Sequence, residues 1–171
     1  MWKQSLKKTF ENAEQVYDYA LNLLALRDYS GNDMLAKLMQ KGAEQHMAEA
    51  AVVKLKEYNF INEERYAQRV YEYWLDKRCY GRQHLLAELH KKNVSELYIP
   101  QILEQLTDET EAERAEAASK IFLQRNAKKI KNSEENNNKI YAAAARFMAA
   151  RGFSTRYIHV IMDKLHFNDD I

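Results

Sequence analysis

The chain has 171 residues, 46% of them hydrophobic, with 26 lysines and arginines against 25 acids and a formal charge of +1. Four glycines and one proline are too few for the turns of a β-rich fold, and the single cysteine, Cys79, excludes a disulfide framework and fits a reducing cytoplasm. No apolar run reaches the roughly 20 residues that span a bilayer, and the N-terminal MWKQSLKKTFENAEQ lacks an apolar core of signal-peptide length. Ala, Leu, Glu, Lys and Gln dominate, which favours helix. The expected class is all-α.

In chain order, residues 1–12 read as a leading segment in which Trp2 and Phe10 cap the first apolar face. A helix is expected over Ala13–Arg27, then a turn in which Ser30 is the cap. A second helix over Asn32–Gln40 should stop at Gly42, because glycine takes the left-handed conformation of a helix C-cap. A third helix runs over Gln45–Tyr58. At the joint Phe60–Asn62, Asn62 reads as the next N-cap, followed by Glu63 and Glu64 at the positive end of a helix dipole. Tyr66, Ala67, Val70, Tyr73 and Trp74 then recur at helical spacing as an inward face. Tyr71 and Tyr80 fall at its edge and in a turn, and are the aromatics expected to be exposed.

Sliding Gln15–Leu55 onto Tyr66–Leu106 aligns the two without a gap. Arg27 falls on Arg78, Tyr29 on Tyr80, Leu38 on Leu89, Lys41 on Lys92, Gly42 on Asn93 and Leu55 on Leu106. Asparagine is the next best residue at a left-handed stop. A third copy places Gly152 on Gly42 and Leu165 on Leu55, with a first helix expected over Glu111–Gln124 and Ala115, Ala118 and Phe122 inward. The segment 125–139, RNAKKIKNSEENNNK, has no apolar period and reads as an exposed polar loop. The expectation is three tandem three-helix units, 13–61, 62–109 and 110–167, with a tail at 168–171. Stacked in series, such units give an elongated, curved array.

Charge is laid out in blocks. Arg65–Lys92 carries seven bases against three acids, Asn93–Ser119 one base against seven acids, and Lys120–Lys164 ten bases against three. Such blocks suit an oriented surface that meets a nucleic acid or an acidic protein groove, and equally suit ordinary solvated helix faces. The five histidines never pair at i, i+4; Asp163 and His166 stand at i, i+3 without the second pair a bundle metal site needs. The glycines stand singly, so no phosphate loop is present. No catalytic residue, cofactor or metal is expected.

The residues Tyr29-Ser30, MLAKLMQKG at 34–42, FINEERYA at 60–67, YGRQHLLAELHKKN at 80–93 and ARFMAARGFS at 145–154 resemble, in order and spacing, the RecX regulators of bacterial homologous recombination. The likeness covers about 13–167; Asn93 stands where that family usually has glycine. The resemblance implies a non-enzymatic, cytoplasmic and monomeric protein acting in DNA repair and the SOS response. It would bind the filament of the RecA recombinase on single-stranded DNA, with that DNA a second candidate partner. Filament growth, ATP hydrolysis and strand exchange would be restrained. The alternative is a nucleic-acid-binding helical repeat acting by itself.

Candidate contact residues follow from the basic blocks and the aromatic edge. They are Arg65, Arg69, Tyr71, Lys77, Arg78, Tyr80 and Arg82 around the central joint, and Lys91 and Lys92 at the second stop. Lys128 and Lys129 in the polar loop, and Arg146 and Arg156 around the third stop, complete the set. Arginines and lysines can hold phosphates, and rings can stack on unpaired bases. The same rings at these spacings also suit packing between helices.

Overall fold

The structure is a computed structural model that describes residues 10–131 and 137–160. The leading segment before Phe10, the centre of the expected polar loop, the last helix of the third unit and the tail lie outside the described residues. Within them all regular structure is helical: α1 Ala13–Leu24, α2 Gly31–Lys41, α3 Gln45–Glu57, α4 Glu63–Leu75, α5 Arg82–Lys91, α6 Ile99–Glu104, α7 Asp108–Lys131 and α8 Asn137–Ala150, then a 3-10 turn Thr155–Tyr157.

The punctuation read from sequence recurs as hydrogen bonds. The Asn12 side chain accepts from the amide of Gln15, and Ser30 Oγ accepts from that of Asp33 at 3.1 Å. Asn62 Oδ1 accepts from the amide of Arg65 at 2.8 Å, so Asn62 caps α4 as its position implies. At the stop of α2, Gly42 has φ 107°; its amide donates to Met39 O and that of Ala43 to Leu38 O. The same pair of bonds closes α8, from Gly152 to Ala149 O and from Phe153 to Met148 O. Asn93 stands at φ 51° after α5. Three equivalent stops therefore use a left-handed residue.

The chain packs as two compact units, Met1–Val70 with His90–Ile99, and Tyr71–Leu89 with Pro100–Ile171. These divisions fall inside α4, α5 and α6, not at the ends of the sequence repeats. In the first unit, α1, α2 and α3 enclose a core of Val16, Ala20, Met34, Leu38, Ala48 and Leu55, all fully buried. In the second, Trp74, Leu85, Leu89, Leu106 and Met148 are among the largest fully buried side chains. Trp74 Nε1 donates to His84 Nδ1 at 2.9 Å.

Two expectations change. Residues 125–131 are helical, because α7 continues through them to Lys131, and α8 begins again at Asn137. The expected loop hid this because Asn126 occupies an inward position, where its side chain donates to Phe122 O at 2.8 Å and interrupts the apolar period. The first helix of the third repeat also starts earlier, at Asp108.

Gly152 has φ 76°, and a Cβ there would lie 2.2 Å from the amide nitrogen of His84. The left-handed conformation alone costs an L-residue roughly 1–2 kcal/mol. Gly152→Ala is therefore expected to destabilise the second unit by more than about 2 kcal/mol, measured by denaturant unfolding. Asn93→Gly, where a left-handed residue already stands, should leave stability unchanged or slightly raised.

Candidate interaction surface

Short helices leave four amides and four carbonyls unpaired at their two ends, and this chain satisfies many of them with side chains from other repeats. At the start of α2, the amide of Gly31 donates to Glu63 Oε1 at 2.9 Å, and Lys56 Nζ lies 2.9 Å from the same oxygen. At the equivalent start of α5, the amide of Arg82 donates to Glu111 Oε1 at 2.8 Å. The amides of Gly81 and Gln83 donate to the carbonyls of Arg151 and Gly152 at 2.9 and 3.0 Å. Gly81 leaves room for this approach, since a Cβ on it would lie 2.7 Å from Gly152 O.

Carbonyl ends are met by two arginines. Arg114, only 7% exposed, donates from Nε to Tyr80 O at 2.9 Å. Its other nitrogens donate to Leu75 O and Trp74 O at 3.2 and 3.4 Å, and to Lys77 O. The guanidinium also lies over the Trp74 ring at 4.0 Å. Burial pulls the Arg114 pKa below the usual arginine range. Arg82 donates to Leu103 O at 2.7 Å and to Leu106 O, closing the end of α6.

This network decides the fate of the candidate contacts. In the first unit, Arg65 is exposed and its guanidinium has no ion-pair partner among the described residues. Arg69 is ion-paired with Asp28. Lys91 and Lys92 are exposed, and Lys92 O accepts from the Tyr66 hydroxyl at 3.1 Å. Burial raises the Tyr66 pKa, with Asp33 adding to the shift. Arg65 and Arg69 join Tyr29, Phe60 and Tyr66 around a shallow depression, whose acid is Asp28.

In the second unit, Arg78 is exposed and unpaired among the described residues, while Lys77 binds Glu88 at 2.7 Å. Arg82 is half-buried and committed to carbonyls and Glu111, so it is not the free surface cation its position in the basic block implied. Tyr80 is half-buried, its ring 4.0 Å from that of His84. Tyr71, expected at the exposed edge, is 6% exposed, and Tyr73, expected inward, is 71% exposed. Burial raises the Tyr71 pKa. Lys128, Lys129 and Arg146 are exposed, the two lysines on α7 and not in a loop.

Arg156 is exposed and makes a two-nitrogen contact with Asp108, one bond measuring 3.1 Å; it also donates to the Tyr157 hydroxyl at 2.8 Å. The bond from Arg156 holds the Asp108 carboxyl below its usual pKa, and Arg156 is raised in turn. Glu63, Glu111 and Arg114 were not singled out as functional residues. Arg114 had a signal: it is the lone base among seven acids, three residues after Glu111 and one before the inward Ala115. Among the described residues no three His, Cys, Asp or Glu side chains come together to hold a metal, and no helix is long and apolar enough to cross a membrane.

No family model matches the chain. The regulatory protein RecX of Vibrio parahaemolyticus is 30% identical over 140 residues, which are 79% of this chain and 81% of that protein. The chain belongs to the RecX family of regulatory proteins. Regulatory protein RecX of Clostridium tetani is 26% identical over 164 residues, 96% of this chain, and the match spans 65% of that relative's length. The crystal structure of RecX from Lactobacillus salivarius superposes with a TM-score of 0.75 at 19% identity, over 91% of this chain and 97% of that one. A second RecX crystal structure gives a TM-score of 0.76 at 20% identity, over 88% and 73%. The fold is that of the RecX helical repeat proteins.

Stability should separate the free cations from the committed ones. Arg65→Glu and Arg78→Glu are each expected to change unfolding free energy by less than about 0.5 kcal/mol. Arg114→Gln should lose about 2 kcal/mol or more, since each buried carbonyl left without a donor costs roughly 1–3 kcal/mol. Arg82→Glu should also be clearly destabilising, because it faces Glu111 with a second carboxylate. Urea unfolding followed by circular dichroism measures all four.

Proposed function

We propose that the chain regulates the RecA recombinase, binding the RecA–single-stranded DNA filament as a cytoplasmic monomer and restraining filament growth, ATP hydrolysis and strand exchange. The observation that carries this reading is the 30% identity to a regulatory protein RecX over 79% of this chain and 81% of that relative. The likeness of fold to two RecX crystal structures supports it. It acts by binding, without catalysis of its own.

The charged groups left free by the fold are the proposed contacts. These are Arg65 and Lys92 in the first unit and Arg78 in the second, all exposed; Lys91, next to Lys92 in sequence, is exposed as well but engaged by another group. Arg69, Lys77, Arg82 and Arg156 are engaged by groups within the chain. Exposed arginine guanidiniums suit carboxylates or phosphates through two-pronged bonds.

A pull-down with RecA, with and without single-stranded DNA and a non-hydrolysable nucleotide, tests the partner. Retention on the assembled filament is the expected result; failure to bind RecA in any state sinks the reading. The variant Arg65→Glu/Arg78→Glu/Lys92→Glu should keep its circular dichroism spectrum and lose at least tenfold in inhibition of strand exchange. Inhibition equal to that of the unmodified protein would remove these three from the contact surface.

A further inference from the structure

α7 is divided by charge along its length. Its N-terminal part carries Glu109, Glu111, Glu113 and Glu116, whereas Ala117–Lys131 contains no acid. Ala115, Ala118 and Phe122 form its buried line. Lys120, Gln124 and Lys128 are exposed on the opposite side, and Arg125 and Lys129 are exposed on the flank where the buried line runs out beyond Phe122.

On a helix rising 1.5 Å per residue, Lys120, Gln124 and Lys128 follow one line at steps of about 6 Å, with Arg125 and Lys129 at the same step beside them. None of the four cations has an ion-pair partner among the described residues. α8 adds no acid and exposes Lys139 and Arg146. Elsewhere in the second unit, Lys77, Arg82, Arg114 and Arg156 are bound within the chain.

A band of exposed cations on one helix, with none of the exposed large hydrophobic side chains of the described residues on that helix, matches a charged strand better than a peptide. A protein partner would be expected to seat an apolar side chain at its contact. Base recognition would need rings or hydrogen-bonding pairs aimed at base edges. We propose that the exposed face of the C-terminal half of α7 holds the sugar–phosphate backbone of a nucleic-acid strand, independently of base sequence. In the setting of the regulator reading this strand is the DNA of the filament, and the inference rests on that reading for its biological setting only.

The test is binding of the full chain to a fluorescent oligothymidylate, by anisotropy across a range of salt concentrations. Each phosphate neutralised on a single strand contributes about 0.7 to the slope of log K against log salt. The variant Lys120→Gln/Arg125→Gln/Lys128→Gln/Lys129→Gln should lower that slope by about 3 and weaken binding at least tenfold. Glutamine is a good helix former, so the helix should persist. If circular dichroism shows lost helicity, Lys128→Gln/Lys129→Gln in the last turn carries the test, with a fall of about 1.4.

An unchanged slope in a folded variant overturns the proposal. Loss of RecA binding with an unchanged DNA slope also overturns it, in favour of a protein contact. A DNA slope that falls as expected, in a chain that never binds RecA, upholds this surface while the regulator reading fails.

Discussion

The carboxylate, buried or half-buried, that meets the first amide of a neighbouring repeat's second helix is the constraint on which the packing depends. Glu63 serves Gly31 in the first unit, and Glu111 serves Arg82 in the second. Helices here are short; α6 has six residues and α5 ten. A six-residue helix can pair few of its own end groups, so its ends must be met from elsewhere or by water. Burying the ends without partners would cost roughly 1–3 kcal/mol for each group. Side chains remove that cost, Arg82 from within the same repeat for α6 and Glu63 and Glu111 from the following repeat for α2 and α5. This explains why the compact units divide α4, α5 and α6: the first unit closes on the first half of α4 and the stop of α5.

The same constraint redistributes charge between structure and function. In sequence, Arg65, Arg69, Lys77, Arg78 and Arg82 form one basic cluster. In the fold, Arg69 and Lys77 are ion-paired, and Arg82 holds two carbonyls and Glu111. Two of the five, Arg65 and Arg78, keep unengaged guanidiniums among the described residues. A count of bases in a segment therefore overstates the charge available to a partner. What decides availability is whether an acid or a helix end lies within reach.

Helix identity and most helix ends were legible because they rest on local chemistry. Ser30, Asn62, Gly42, Asn93 and Gly152 act within one turn of themselves. The face of α4 was harder to read. Each residue advances about 100° around a helix; with Ala67 and Trp74 at the centre, Tyr66 falls about 90° to one side, Tyr71 about 50° to the other and Tyr73 about 110° away. A broad aromatic run thus fits two phases. Burial resolves it, since Trp74 is 2% exposed and Tyr73 71%. Long-range caps such as Glu111 to Arg82 were not legible, because nothing local distinguishes a glutamate bound for another repeat's amide from one bound for solvent.

α7 shows how far electrostatics within the helix can account for its charge pattern. Asp108, Glu109 and Glu111 lie in the first turn, where negative charge meets the helix dipole. Lys128 and Lys129 lie toward the last turn, where cations are favoured for the complementary reason. The dipole effect falls off within a turn, so it does not reach Lys120 or Arg125 near the middle. Arg125 has no acid within four residues on either side, whereas Lys120 stands four residues after Glu116, the spacing at which opposite charges support a helix. Neither of the two caps a helix end, unlike Arg82 and Arg114. The helix dipole thus accounts for the charge at the two ends of α7, and of its central cations Arg125 is the one for which neither the dipole nor a neighbouring acid on the helix supplies a reason.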